Sequence, residues 1–137
     1  EEGDRFSFQA ALSRAGMDEL GNRFLVVNED LEQMKERMRC RKSAKIVVTD
    51  SFQHLEMTKK VYSDLIDEFG QTHLILIVSH ADGKQPKGRP AQHARFDADI
   101  KIWVEGFVAF PASRFAKGSP IVINHDNAKA YWGEIPI

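Results

Sequence analysis

The stretch Lys45-Ile-Val-Val-Thr-Asp50-Ser-Phe-Gln53 sets the tightest limit on how this chain can fold. Ile46 to Thr49 are apolar or β-branched without interruption, and they run straight into one carboxylate and a short polar turn. A continuous run of that kind predicts a strand covered on both faces. Open α/β sheets bind ligands at the carboxyl ends of their strands, so Asp50 falls on the binding edge. There an acidic side chain either holds magnesium for phosphoryl transfer or caps the following helix. This stretch by itself leaves both roles open.

The neighbours extend the pattern. Leu55, Val61, Tyr62, Leu65, Ile66 and Phe69 recur at helical spacing, and Gly70 supplies a stop. Leu74 to Ser79 is then a second apolar strand. Strand, helix, strand in that order is a crossover unit, which implies parallel pairing with helices outside. Upstream, Phe8, Ala11, Leu12 and Ala15 mark a helix from Asp4 to Ala15, with Gly16 as its stop. Phe24 to Val27 reads as a short buried strand. Glu29 to Lys42 reads as a helix with Leu31, Met34 and Met38 on one face and charges arranged as the helix dipole favours.

Downstream, residues 80–96 hold Gly83, Pro86, Gly88 and Pro90 and read as a long, locally basic loop. Ile100 to Val104, Phe107 to Phe110, Pro120 to Asn124 and Ala128 to Trp132 resemble consecutive antiparallel strands, with Asn127 in a tight turn. Trp103 and Trp132 fit packing roles in that pattern.

Composition narrows the function classes. The 137 residues suit one domain that buries about two-thirds of its unfolded surface. A net charge of −1 gives no general pull toward nucleic acid, so such a partner needs a local basic patch. Lys84, Lys87 and Arg89 in the 80–96 loop form one, suited to the phosphates of a single strand. No apolar run approaches the roughly 18 residues of a membrane span. With a single cysteine, Cys40, and no signal peptide, we expect a cytoplasmic protein without membrane contact. His54, His73, His93 and His125 lack metal-ligand spacing. Ser51 lacks a nucleophile elbow.

Taken together, the order of these pieces resembles the later part of a RecA-type ATPase core, closest to the RadA/DnaB-like group. Four places carry the resemblance. Glu1-Glu2-Gly3 is similar to the acidic pair ending the family's second core strand, where glutamate polarises the attacking water. The strand ending at Asp50 matches the Walker B element, which implies that Asp50 binds magnesium and nucleotide. Ile77-Val-Ser-His80-Ala-Asp-Gly83 looks like the strand end that senses the γ-phosphate, with Ser79 and His80 at the nucleotide and the next loop facing DNA. Phe96-Asp-Ala-Asp99-Ile is similar to the acidic element that follows in DnaB-like proteins. Ser113-Arg114-Phe-Ala-Lys117-Gly118 lies where those proteins place a basic pair, so Arg114 and Lys117 would reach a neighbouring subunit's nucleotide.

The resemblance implies a RecA-like, mainly parallel sheet flanked by helices, with a C-terminal antiparallel meander and a truncated N-terminus. It further implies ATP and Mg2+ in the parent protein, action on single-stranded DNA in repair or replication, and a hexameric ring or filament. One departure is decisive for activity. No G-x-x-x-x-G-K-[ST] loop occurs in the chain, and that loop provides most phosphate binding. We therefore expect a fragment, inactive alone and without bound cofactor, whose incomplete sheet exposes apolar surface. A noncatalytic nucleic-acid-binding or assembly module, or a KaiC-like signalling ATPase, are the alternatives.

Overall fold

The computed structural model describes residues 6–116 and 118–137. The chain divides into two compact units, residues 1–44 and 45–137.

In the first unit, α1 spans Phe6–Arg14 and stops where Gly16 takes the left-handed conformation, φ 71°. That geometry is accessible to glycine at little cost, as the sequence predicts for a helix stop. A 3-10 segment, Met17–Arg23, follows. Helix α2, Leu31–Arg39, starts at a capping box: Asp30 accepts from the Gln33 N–H, and the Gln33 side chain accepts from the Asp30 N–H. Met34 and Met38, four apart, are its buried side chains. Glu29, just before the cap, pairs with Arg37 on the helix. The strand expected at Phe24–Val27 does not form; these residues are exposed and join no sheet among the described residues.

In the second unit, β1 (Ile46–Asp50), α3 (Lys59–Phe69) and β2 (Leu74–Val78) make the expected crossover, and β1 pairs β2 in parallel from Ile46↔Leu74 to Asp50↔Val78. Thr58 caps α3 by accepting from the Val61 N–H, and Tyr62, Leu65 and Phe69 are its buried stripe. A hairpin follows, β3 (Ala81–Asp82) against β4 (Gln85–Pro86), and then α4 (Arg89–Asp97). Next come β5 (Ile100–Glu105), β6 (Val108–Ser113) and β7 (Ile121–Val122), an antiparallel sheet in the order β5-β6-β7. Helix α5 (His125–Trp132) closes the chain. The described helices include none long and apolar enough to cross a membrane.

The RecA-like parallel sheet is not what this chain forms. Parallel pairing stops at two strands, and the other sheets are a two-stranded and a three-stranded antiparallel one. The reason lies in the faces of β1 and β2. Ile46 and Val48 are each 61% exposed, and Leu74, Leu76 and Val78 beside them are exposed as well. Only the opposite face, with Val47, Thr49, Ile75 and Ile77, turns inward. An uninterrupted apolar run announces burial but does not supply a second covering layer or a third strand.

Two further elements differ from expectation. Part of the 80–96 segment is helical: Pro90 near the N-terminus of α4 costs no hydrogen bond there, and Ala91 and Ala94 bury one face. Ala128–Trp132 is helix rather than strand, because Asn124 accepts from the Asn127 N–H as an N-cap and Ala128 is fully buried. Asn127 accordingly lies in the first turn of α5, not in a hairpin. The meander is therefore three strands.

Candidate functional site

Asp50 occupies the carboxyl end of β1, opposite Val78 at the end of β2. The parallel ladder continues one step past it, since the Phe52 N–H donates to the Val78 carbonyl at 2.7 Å. Because Asp50 pairs with Val78, the residues that follow each, Ser51 to Gln53 and Ser79 and His80, leave the two strands at the same edge. The Asp50–Ser51 peptide is cis. Thr49 and Ser51 on either side are buried, whereas Asp50 is exposed and its carboxylate takes no hydrogen bond or ion pair among the described residues. Its role as a helix cap is excluded, because Thr58 caps α3.

The residue that organises this edge is Gln53, which the sequence shows only as the end of a polar turn. Its Nε2 donates to Ser79 Oγ and to the Lys87 carbonyl, each at 2.9 Å. Its Oε1 accepts from the His80 N–H at 3.0 Å. Ser79 Oγ in turn donates to the His80 carbonyl at 3.1 Å. The Lys87 N–H donates to the same carbonyl at 2.8 Å, which closes the base of the β3–β4 hairpin. The one available signal in the sequence was position, three residues beyond Asp50 and on the same turn.

The hairpin carries the basic patch. Lys84 stands at its turn next to Gly83, Lys87 leaves β4, and Arg89 opens α4. All three are exposed, and none forms an ion pair among the described residues. The His80 ring is also exposed and makes no hydrogen bond there.

Arg114 is otherwise engaged. Its guanidinium donates to the Asp97 and Ala98 carbonyls and pairs with Asp99 at 3.6 Å. The Asp97 carboxylate accepts from the Tyr62 hydroxyl at 3.1 Å. Burial, and then this bond to Asp97, push the Tyr62 pKa well above its usual value. A hollow of about 560 Å³ between Pro111 and Gly118 includes Arg114 but none of Asp50, Gln53, Ser79 or His80. Glu1, Glu2 and Lys117 lie outside the described residues.

Magnesium is held by one or two carboxylates together with phosphate oxygens and water. Asp50 supplies one such carboxylate. The described residues offer no cluster of three or more His, Cys, Asp or Glu side chains suited to a metal. The sequence also has no G-x-x-x-x-G-K-[ST] loop to cradle phosphates. Asp50 thus fits one corner of a magnesium–nucleotide site and not the whole of it, and no hydrolytic step follows from these residues alone. Compared with family models, with curated proteins and with solved structures, the chain matches none of them.

Proposed function

We propose that this chain binds single-stranded DNA through the hairpin of residues 80–89 and is the DNA-facing part of an ATP-hydrolysing protein. The observation that carries the reading is the trio Lys84, Lys87 and Arg89, exposed and without ion pairs among the described residues, spread from the turn of the short hairpin to the start of α4 beside the edge that bears Asp50. Three cations without carboxylate partners suit a phosphate backbone, and the salt dependence of binding counts them. On this reading Asp50, Ser79 and His80 would face the nucleotide, and Asp50 would help hold a magnesium ion that offsets charge on its phosphates. Glu1 or Glu2 activates water in the assembled protein, and Lys117 acts across an oligomer interface, as the resemblance implies. Arg114 in that role first has to leave Asp97–Asp99.

The test is fluorescence anisotropy of a labelled oligothymidylate across a salt series. Changing Lys84, Lys87 and Arg89 together to Ala lowers affinity at least tenfold and flattens the slope of log K against log salt by about 2, at roughly 0.7 per lost phosphate contact. Unchanged affinity removes DNA from the hairpin's role. Calorimetry of the same chain with Mg-ATP gives no binding heat, and turnover of ATP by the chain alone defeats the assignment of an incomplete site.

A noncatalytic strand-binding module is the second reading, favoured by the lone carboxylate. The gene sequence just upstream of Glu1 separates the two, because only the ATPase reading requires a G-x-x-x-x-G-K-[ST] loop there.

A further inference from the structure

The β3–β4 hairpin is too short to hold itself. Its two strands contribute two residues each, with Gly83 at φ 58° in the turn. A hairpin of this size is marginal in water, so its orientation is set by what grips its base. Two side chains do so. Gln92 of α4 donates to the Pro86 carbonyl in a long bond of 3.4 Å. Gln53 makes three shorter bonds, one to the entering strand at His80 N, one to Ser79 Oγ beside it, and one to the leaving strand at the Lys87 carbonyl.

We propose that Gln53 is the positioning residue for the basic hairpin, holding Lys84, Lys87 and Arg89 in register and tying their placement to the turn that follows Asp50. Only a primary amide does this, because the site needs one acceptor for the His80 N–H and two donors for Ser79 and Lys87. A carboxylate at this position keeps the acceptor and sets an oxygen against the Lys87 carbonyl. Only Ser51 and Phe52 separate Gln53 from Asp50, so a ligand that draws Asp50 and its turn outward pulls on both strands of the hairpin at once. The phosphate-contact half of this inference rests on the DNA-binding reading above; the clamp itself does not.

The experiment compares wild type, Gln53→Leu and Gln53→Glu in the full chain, by amide hydrogen exchange and by oligothymidylate binding over a salt series. Gln53→Leu speeds exchange across residues 80–87 by at least about tenfold, as expected for losing several net hydrogen bonds. It leaves amides 100–113 unchanged and flattens the salt slope by about 1, as when one or two phosphate contacts are lost. Gln53→Glu keeps the His80 amide protected while Lys87 exchanges faster, and it decides the matter if the Leu variant does not fold. Unchanged exchange at residues 80–87 overturns the clamp. Faster exchange with an unaltered salt slope makes Gln53 a structural staple only and overturns its positioning role. If wild type does not bind the oligonucleotide, the DNA reading falls, and exchange alone then upholds or overturns the clamp.

Discussion

Individual residues divide into those whose chemistry announces them and those known only by their partners. Asp50 belongs to the first kind: a carboxylate at the end of an apolar run stands on a sheet edge, and in the structure it is exposed there with its oxygens unengaged. Gln53 and Arg114 belong to the second. Nothing in the identity of Gln53 reveals three bonds to residues 26 to 34 positions away. Arg114 looked like a free cation and is held by the 97–99 turn. Tyr62 makes a prediction at this scale. Its raised pKa means the folded state holds the phenol proton more tightly than the unfolded chain does. The associated stability is therefore complete below the unfolded value near 10 and is lost as pH rises from there toward the folded value. Urea unfolding of wild type should show stability falling above about pH 10. Tyr62→Phe should remove much of that fall at a cost of about 1 kcal/mol at neutral pH, the usual worth of one hydrogen bond.

At the scale of elements, a long periodic run is readable from the sequence and a short one is not. Helix α3 ends at Gly70 as the sequence predicts, and of the six apolar residues read as its face Tyr62, Leu65 and Phe69 are buried, Val61 and Ile66 are half-buried, and Leu55 lies in the turn before the helix. Ala128–Trp132, the later part of α5, fits a strand pattern in the sequence because five residues are too few to separate the two periods. The Asn124 cap that decided the outcome is a hydrogen bond, not a pattern. The β5–β6 turn shows the same dependence on contacts. Gly106 (φ 53°) and Phe107 (φ 61°) both adopt positive φ, the two-residue turn whose twist suits a hairpin. A Cβ on Gly106 would stand 2.3 Å from a Tyr131 ring carbon and 2.4 Å from Trp132 Nε1. The Gly106 carbonyl also accepts from that indole N–H. Gly106→Ala should therefore destabilise the protein by about 2–3 kcal/mol, since turn strain and loss of the α5 contact act together. Chemical denaturation measures this, and a change below about 0.5 kcal/mol, the level of an ordinary surface site, would show that α5 yields without cost.

For the whole molecule, the outstanding feature is apolar surface left uncovered. One face of β1–β2 exposes Ile46, Val48, Leu74, Leu76 and Val78, and β5 exposes Ile100, Ile102 and Val104. Among the described residues nothing pairs with the outer edges of β1 and β2. The chain should self-associate as its concentration rises in sedimentation velocity runs. Val48→Lys with Leu76→Lys should shift it toward monomer without changing its far-UV circular dichroism; a concentration-independent monomer would show these faces to be covered in solution. From sequence alone came the β1–α3–β2 crossover, the carboxylate at the end of its first strand, the basic patch beyond it and the lack of a phosphate loop. These are local matters, written in runs, spacings and residue types a few positions apart. Tertiary structure alone decided how many strands join a sheet, which face of an apolar strand is covered, and which amide grips the hairpin. Each of these depends on groups distant in sequence meeting in space, and hydrophobicity without direction does not specify the meeting.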